Sequence, residues 1–320
     1  MHLNSPWQQQ CFERVLQVLD SGRLAHGLLI CGPERLGKHA LMQAITARLL
    51  CTDARGMQAA CGHCRACRLL AADTHPDYHA VTLLPNDKGV LKKEIGVDQI
   101  RQISHILGLT AQVGSTIVAA VHPADALNHA AANALLKTLE EPQDGRYLLL
   151  LTSKPHRLPA TVRSRCQRIE VKLPDREVAS QWLRQQHGTG PDVSRALQLT
   201  EGHPGRADDL LRHGGLALFD SVGKDLRGLA RGQVALTEIC RHWQDERLAE
   251  RLMLAVIWVR QQATDRVAAG HPPTADFDAQ YRWTVLANLV RQQLDTPLRS
   301  DLLLADLLHQ WATLGERARA

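Results

Sequence analysis

Four of the eight cysteines, Cys51, Cys61, Cys64 and Cys67, fall within 17 residues in the spacing C-x9-C-x2-C-x2-C. Four thiolates suit one tetrahedral zinc ion, and four protein ligands leave no open coordination position, so such a site is structural. Iron–sulfur proteins that carry C-x2-C-x2-C usually add a fourth Cys three residues on, followed by Pro. Here Cys67 runs into Arg68-Leu69-Leu70-Ala71. His63 lies inside the knuckle and is an alternative ligand. Cys11, Cys31, Cys166 and Cys240 are scattered and, in the cytoplasmic setting expected for this chain, reduced.

A second constellation is Gly32-Pro33-Glu34-Arg35-Leu36-Gly37-Lys38-His39. It matches G-x-x-x-x-G-K, a loop whose amides and helix N-terminus cradle phosphates while the lysine adds a point charge. The next position calls for Ser or Thr as a magnesium ligand, and it is His39, a poor partner for a hard cation. The apolar strand that should end in an Asp-Glu pair ends instead in His122-Pro123. Asp125 follows three positions after His122, but one carboxylate cannot both hold the metal and activate water. Hydroxyl, metal-binding Asp and water-activating Glu are thus missing together. Nucleotide binding at Gly32, Gly37 and Lys38 stays open, whereas hydrolysis is not expected. A third candidate is Ser164-Arg165-Cys166. Its guanidinium suits a phosphate presented by a neighbour, although Arg163, Arg165 and Arg168 are equally readable as solvated charges.

The elements that must position these groups follow from hydrophobic patterning. Strands are expected at 26–31, 78–84, 115–121, 147–152 and 167–171. Helices at 39–50, 97–107, 130–139 and 159–164 separate them, with Pro142 ending the third. Apolar strands alternating with helices predict a parallel sheet covered on both faces. Beyond Pro174 the pattern is helical: 176–186, closed by Gly188, Gly190 and Pro191, then 192–200, a turn at Gly202-His203-Pro204-Gly205, and helices 246–269 and 278–294. A last helix follows Ser300. Gly270, Pro272 and Pro273 are expected to end the long helix. Leu286, Leu289 and Val290 mark one apolar stripe and Leu304, Leu307, Leu308, Trp311 and Leu314 another, serving either as core or as a packing face for partner subunits.

The 320 residues, 44% hydrophobic and 22% charged, indicate a folded chain of two or three domains. No apolar stretch reaches membrane-span length, and the N-terminus does not read as a secretory signal. A net charge of +5 is compatible with a nucleic-acid partner without requiring one, and 4% aromatics disfavour base-stacking platforms.

Together these features resemble the AAA+ clamp-loader family of bacterial DNA polymerase III. The resemblance is carried by the loop with a four-Cys insertion after its first helix, the run Asn133-Ala134-Leu135-Leu136-Lys137-Thr138-Leu139-Glu140-Glu141-Pro142, and Ser164-Arg165-Cys166. Pro6-Trp7, His75-Pro76-Asp77 and Ile95-Gly96-Val97-Asp98-Gln99-Ile100-Arg101 add to it. The degraded ATP motifs put the chain with the delta-prime type rather than with the gamma and tau motors.

The resemblance implies an α/β P-loop (RecA-like AAA+) domain at 1–173 with a zinc module near 51–67. A small helical lid at 174–211 and an all-α collar at 212–320 would follow. It further implies a hetero-pentameric ring with tau/gamma and delta subunits, acting on a sliding clamp and primer–template DNA, in which Arg165 is an arginine finger for the adjacent motor. The ring belongs to the DNA polymerase III holoenzyme, whose nucleotidyl transfer is a property of the complex. The motor's lid sensor arginine, in G-S-L-R, corresponds here to Gly205; Arg206 is adjacent, about 100° round a helix. Two other readings are an ATP-hydrolysing motor subunit and a DNA-binding zinc protein using Arg65 and Arg68.

Overall fold

A computed structural model of the chain describes residues 3–87, 89–141, 143–270, 277–294 and 299–317. Pro142, Pro272 and Pro273, expected as helix terminators, lie outside them. The chain divides into two compact units, one of Met1–Trp182 with His203–Gly205 and one of Leu183–Gly202 with Arg206–Ala320.

The first unit is built on five parallel strands: β1 (Gly27–Cys31), β2 (Tyr78–Val81), β3 (Ile117–Val121), β4 (Arg146–Thr152) and β5 (Gln167–Glu170), in the order β2-β3-β4-β1-β5. Because successive strand residues point to opposite faces, Leu28, Ile30, Val118, Ala120 and Leu149 enter one core. Leu29, Cys31, Ala119, Val121, Leu148 and Leu150 enter the other. The first face is covered by α1 (Pro6–Asp20) and α2 (Lys38–Leu50), the second by α4 (Val97–Leu107) and α5 (His129–Glu140). Burial on both sides explains why the central strands read as unbroken apolar runs. Between α2 and β2 lies α3 (Arg65–Ala71); α6 (Ala160–Arg163) precedes β5, and α7 (Arg176–His187) follows it.

Several boundaries depart from expectation. β2 stops at Val81, and the chain beyond it forms a turn closed by an antiparallel bridge between Pro85 and Leu91. β3 starts at Ile117 rather than at residue 115. Pro191 does not close α7; it is the first residue of α8 (Pro191–Leu199), a position where its missing N–H costs nothing. Pro204 likewise opens α9 (Pro204–Arg212).

The second unit is helical, with α10 (Gly215–Ala230), α11 (Leu236–Trp243), α12 (Leu248–Ala268), α13 (Phe277–Gln293) and α14 (Ser300–Arg317) completing it. Its core holds four tryptophans, three of which donate their indole N–H: Trp243 to Asp225 at 2.9 Å, Trp283 to the Leu307 carbonyl at 2.8 Å and Trp311 to that of Leu226 at 2.9 Å. Leu304, Leu307, Leu308 and Trp311 form the expected stripe on α14. On α13 the buried face is Trp283, Thr284, Ala287 and Val290. Leu289, grouped with Leu286 and Val290 in a stripe expected as either core or packing face, is 48% exposed, one helix position away from that face.

Candidate functional site

The four cysteine sulfurs converge to within 4.8 Å of one another. Sγ of Cys51 and Cys64 are 3.9 Å apart, as are those of Cys61 and Cys67. A tetrahedron with metal–sulfur bonds of about 2.3 Å has edges of about 3.8 Å, so the sulfurs already have the spacing zinc needs. Backbone N–H groups point at them: Cys61 N–H donates to Cys51 Sγ at 3.4 Å, Cys64 N–H to Cys61 at 3.3 Å and Cys67 N–H to Cys64 at 3.4 Å. Cys64 also caps α3. Burial pushes its thiol up, but donation from Cys67 N–H and from Thr52 wins and pulls it to about 6. Burial and the neighbouring sulfurs drive Cys67 to about 12. Four sulfurs this close together suit a single cation, which fits a zinc tetrad. His63 stays outside the tetrad, 78% exposed and 3.9 Å from Asp53.

The phosphate-type loop leaves β1 at its C-terminal end and enters α2 at Lys38. Gly37, the N-cap of α2, sits at φ 74°, a conformation that favours glycine; a Cβ there would also overlap the Gln8 amide. The loop carbonyls are held by α1, with Trp7 Nε1 donating to Leu36 at 3.1 Å and Gln8 Nε2 to Gly37 at 2.7 Å. Lys38 is buried and its Nζ donates to the Pro33 carbonyl at 2.5 Å. Burial pulls its ammonium below the usual lysine range, with Glu34, Cys31 and Asp125 opposing.

His39 and His122, which stand where a hydroxyl and an acid were sought, meet edge-on with ring centroids 5.0 Å apart. Burial, then the neighbouring His39, holds His122 below the ordinary histidine value. Asp125 accepts from Thr152 Oγ1 at 2.5 Å and so belongs to the end of β4. A Cβ at Gly205, the position that the resemblance pairs with a sensor arginine, would overlap the Arg35 carbonyl. No side chain fits at that position, and the loop backbone occupies the space an arginine would need.

Arg165 lies at the other end of the sheet. Gln167 at the start of β5 pairs with Leu28 at the start of β1, so Arg165 precedes the strand near its N-terminal edge. Its own phosphate-type loop begins four residues beyond Gly27, about 13 Å along β1. The guanidinium donates to the Thr161 carbonyl at 3.0 Å and to Glu140 at 2.7 Å. Two stretches far apart in sequence, 133–141 and 164–166, thus meet at one corner, with Cys166 packed into the same core as Leu135 and Leu139. That pairing had no sequence signal beyond the resemblance.

His75-Pro76-Asp77 has a role that residue types did not disclose. Asp77, 2% exposed, accepts from Gln112 N–H at 2.7 Å and Val113 N–H at 2.6 Å. Its own N–H donates to His75 Nδ1 at 3.1 Å. Val113 packs with Cys51, Cys64 and Cys67, so this segment ties the cysteine module to the sheet. A buried carboxylate accepting amides from the next loop is a signal that only tertiary structure supplies.

Residues 7–175 match the family described as DNA polymerase III, delta subunit. The chain belongs to this family. DNA polymerase III subunit delta' of Escherichia coli (strain K12) is 41% identical over 203 residues, 63% of this chain and 59% of the relative. The delta' subunit of Pseudomonas aeruginosa is 37% identical over 240 residues, 74% of this chain and 70% of the relative. The matched part of the chain therefore spans under two thirds of the Escherichia coli protein's length. Among solved structures, a gamma subunit-related protein of Thermotoga maritima is similar at TM-score 0.46 and 15% identity, covering 94% of this chain and 99% of that one. The family match at 7–175 falls within the first unit, which carries the parallel sheet and the four-cysteine module. No helix among the described residues is long and apolar enough to cross a membrane.

Proposed function

We propose that this chain is a non-hydrolysing, delta-prime-type subunit of a bacterial clamp loader. In this reading it takes a fixed place in a hetero-pentameric ring with tau/gamma and delta subunits and helps load a sliding clamp onto primer–template DNA in the cytoplasm. Residues 174–211 act as the lid and 212–320 as the collar that joins the ring. Cys51, Cys61, Cys64 and Cys67 hold a structural zinc. Gly32, Gly37 and Lys38 are the remnant of a nucleotide loop in which no metal or water is organised for attack.

The observation that carries the reading is the position of Arg165, flanked by Ser164 and Cys166. It sits at the edge of the sheet opposite its own loop, about 13 Å away along β1, so it serves a site presented by a neighbour. An always-charged guanidinium there stabilises the transferring phosphoryl group. The losses at His39, His122 and Pro123 and the filled sensor slot at Gly205 support the division of labour.

The test is Arg165→Ala in a reconstituted complex, with assembly checked by gel filtration. Arginine fingers in small GTPases contribute on the order of 10³–10⁵ in rate. The variant should assemble while DNA-stimulated ATPase falls to the level of the motor sites Arg165 does not serve. ATPase equal to that of the unsubstituted complex removes the role.

A further inference from the structure

Glu140 is the last residue of α5, and its carboxylate meets Arg165 Nη2 at 2.7 Å. The same guanidinium donates through Nη1 to the Thr161 carbonyl of α6 at 3.0 Å. Two acceptors from two different helices therefore converge on one fork. Arginine has five N–H donors in fixed geometry, so two are engaged and three stay available: Nε–H and one on each Nη. The side chain is 38% exposed, so those donors can meet an incoming anion.

The helix that carries the carboxylate is anchored. Asn128, the N-cap of α5, accepts from Ala131 N–H at 2.9 Å, and the helix buries Ala131, Ala132, Leu135 and Leu139. The arginine backbone is equally anchored, its N–H donating to the Val162 carbonyl at 3.2 Å immediately before β5. Nearby Arg168 is paired with Glu170 at 2.9 Å, whereas Glu140 pairs with Arg165. An unrestrained arginine gives up rotamer freedom when it first meets a phosphate. One already held at two points gives up less, the general advantage of a preorganised donor.

We propose that Glu140 is a positioning residue: it holds the Arg165 guanidinium in the orientation that a neighbour's phosphate meets, acting through the arginine and not touching the nucleotide. The proposal rests on the reading of Arg165 as a donor in trans. A second possibility makes the opposite prediction, since a carboxylate that competes with phosphate for the same fork is a brake.

The experiment uses the reconstituted complex with Glu140→Ala, Glu140→Gln, Arg165→Ala and the Glu140→Ala/Arg165→Ala double variant, reading DNA-stimulated kcat and the KM for ATP, with assembly and thermal stability checked for each. Glu140→Ala should lower the Arg165-dependent part of kcat about fivefold, the upper scale of an exposed ion pair's coupling, with KM nearly constant and the total never below that of Arg165→Ala. Glu140→Gln, whose amide oxygen still accepts from Nη2, should keep most of the rate, and this arm decides the matter if the alanine variant assembles poorly. In the Arg165→Ala background, Glu140→Ala should add nothing. If Arg165→Ala is slow while Glu140→Ala is normal or faster, or if the two effects add, the positioning role falls and the trans donor stands. If Arg165→Ala is normal, both fall.

Discussion

Replacing Asp77 by Asn probes the strongest buried polar contact of the first unit. The carboxylate, 2% exposed, accepts two short bonds from Gln112 and Val113. An amide oxygen can keep one of them; the amide nitrogen then faces the other N–H, donor against donor. A hydrogen bond to a charged group contributes about 1.5–3 kcal/mol and an orphaned buried N–H costs about 1–3 kcal/mol. Burying an amide is less costly than burying a carboxylate, which offsets part of the loss, so we expect a net destabilisation of about 3 kcal/mol. For a cooperative unit of this size that is about 6–12 °C in Tm. Because Val113 packs against Cys51, Cys64 and Cys67, zinc should also pass faster to a chromogenic chelator. Thermal unfolding followed by circular dichroism, beside the control Asp98→Asn at a 92% exposed carboxylate, reads the first effect. A Tm shift no larger than the control's, with unchanged zinc release, would refute the reasoning.

Chelation of zinc should loosen the module while sparing the helical unit: limited proteolysis is expected to cut between Cys51 and Cys64 only after chelator treatment, and identical digestion patterns would contradict a zinc tetrad. Acid should destabilise the first unit through two histidines. Burial, more than their neighbours, holds His75 and His122 below the ordinary histidine value of 6.5. The native chain then keeps them neutral where the unfolded chain takes up protons, so stability is full above about pH 6.5 and declines below it towards the folded values. His75→Gln with His122→Gln should flatten urea midpoints measured between pH 7 and 5; an unaltered slope would place the acid sensitivity elsewhere.

Much of the site was legible because it depends on local chemistry. Cysteine spacing names a tetrad before any sulfur is placed, since ligand count and metal geometry are set by short loops. The central strands were legible because two-sided burial leaves an apolar run. His39, His122 and Pro123 were legible as residue types at positions that the structure places at a loop and a strand end. Other elements were readable yet not read: Ser5-Pro6 begins α1 with Gln8 bonded back to Ser5, and Trp7, Cys11, Phe12, Val15 and Leu16 form its buried face. Leu289 shares a stripe with Val290 in the sequence yet not its burial, because an i, i+3 spacing fits two neighbouring faces of one helix. What sequence could not supply were contacts between distant segments. Glu140 with Arg165, Asp77 with Val113, and Gly205 against Arg35 each join stretches that nothing local links.

The central claim is that Lys38 sits above a loop unable to organise a divalent ion and an attacking water. Phosphate release from ATP by the purified chain alone, with magnesium, beside Lys38→Ala, tests it most directly. No Lys38-dependent turnover is predicted. Turnover at the rate of a motor subunit, abolished by Lys38→Ala, would contradict it.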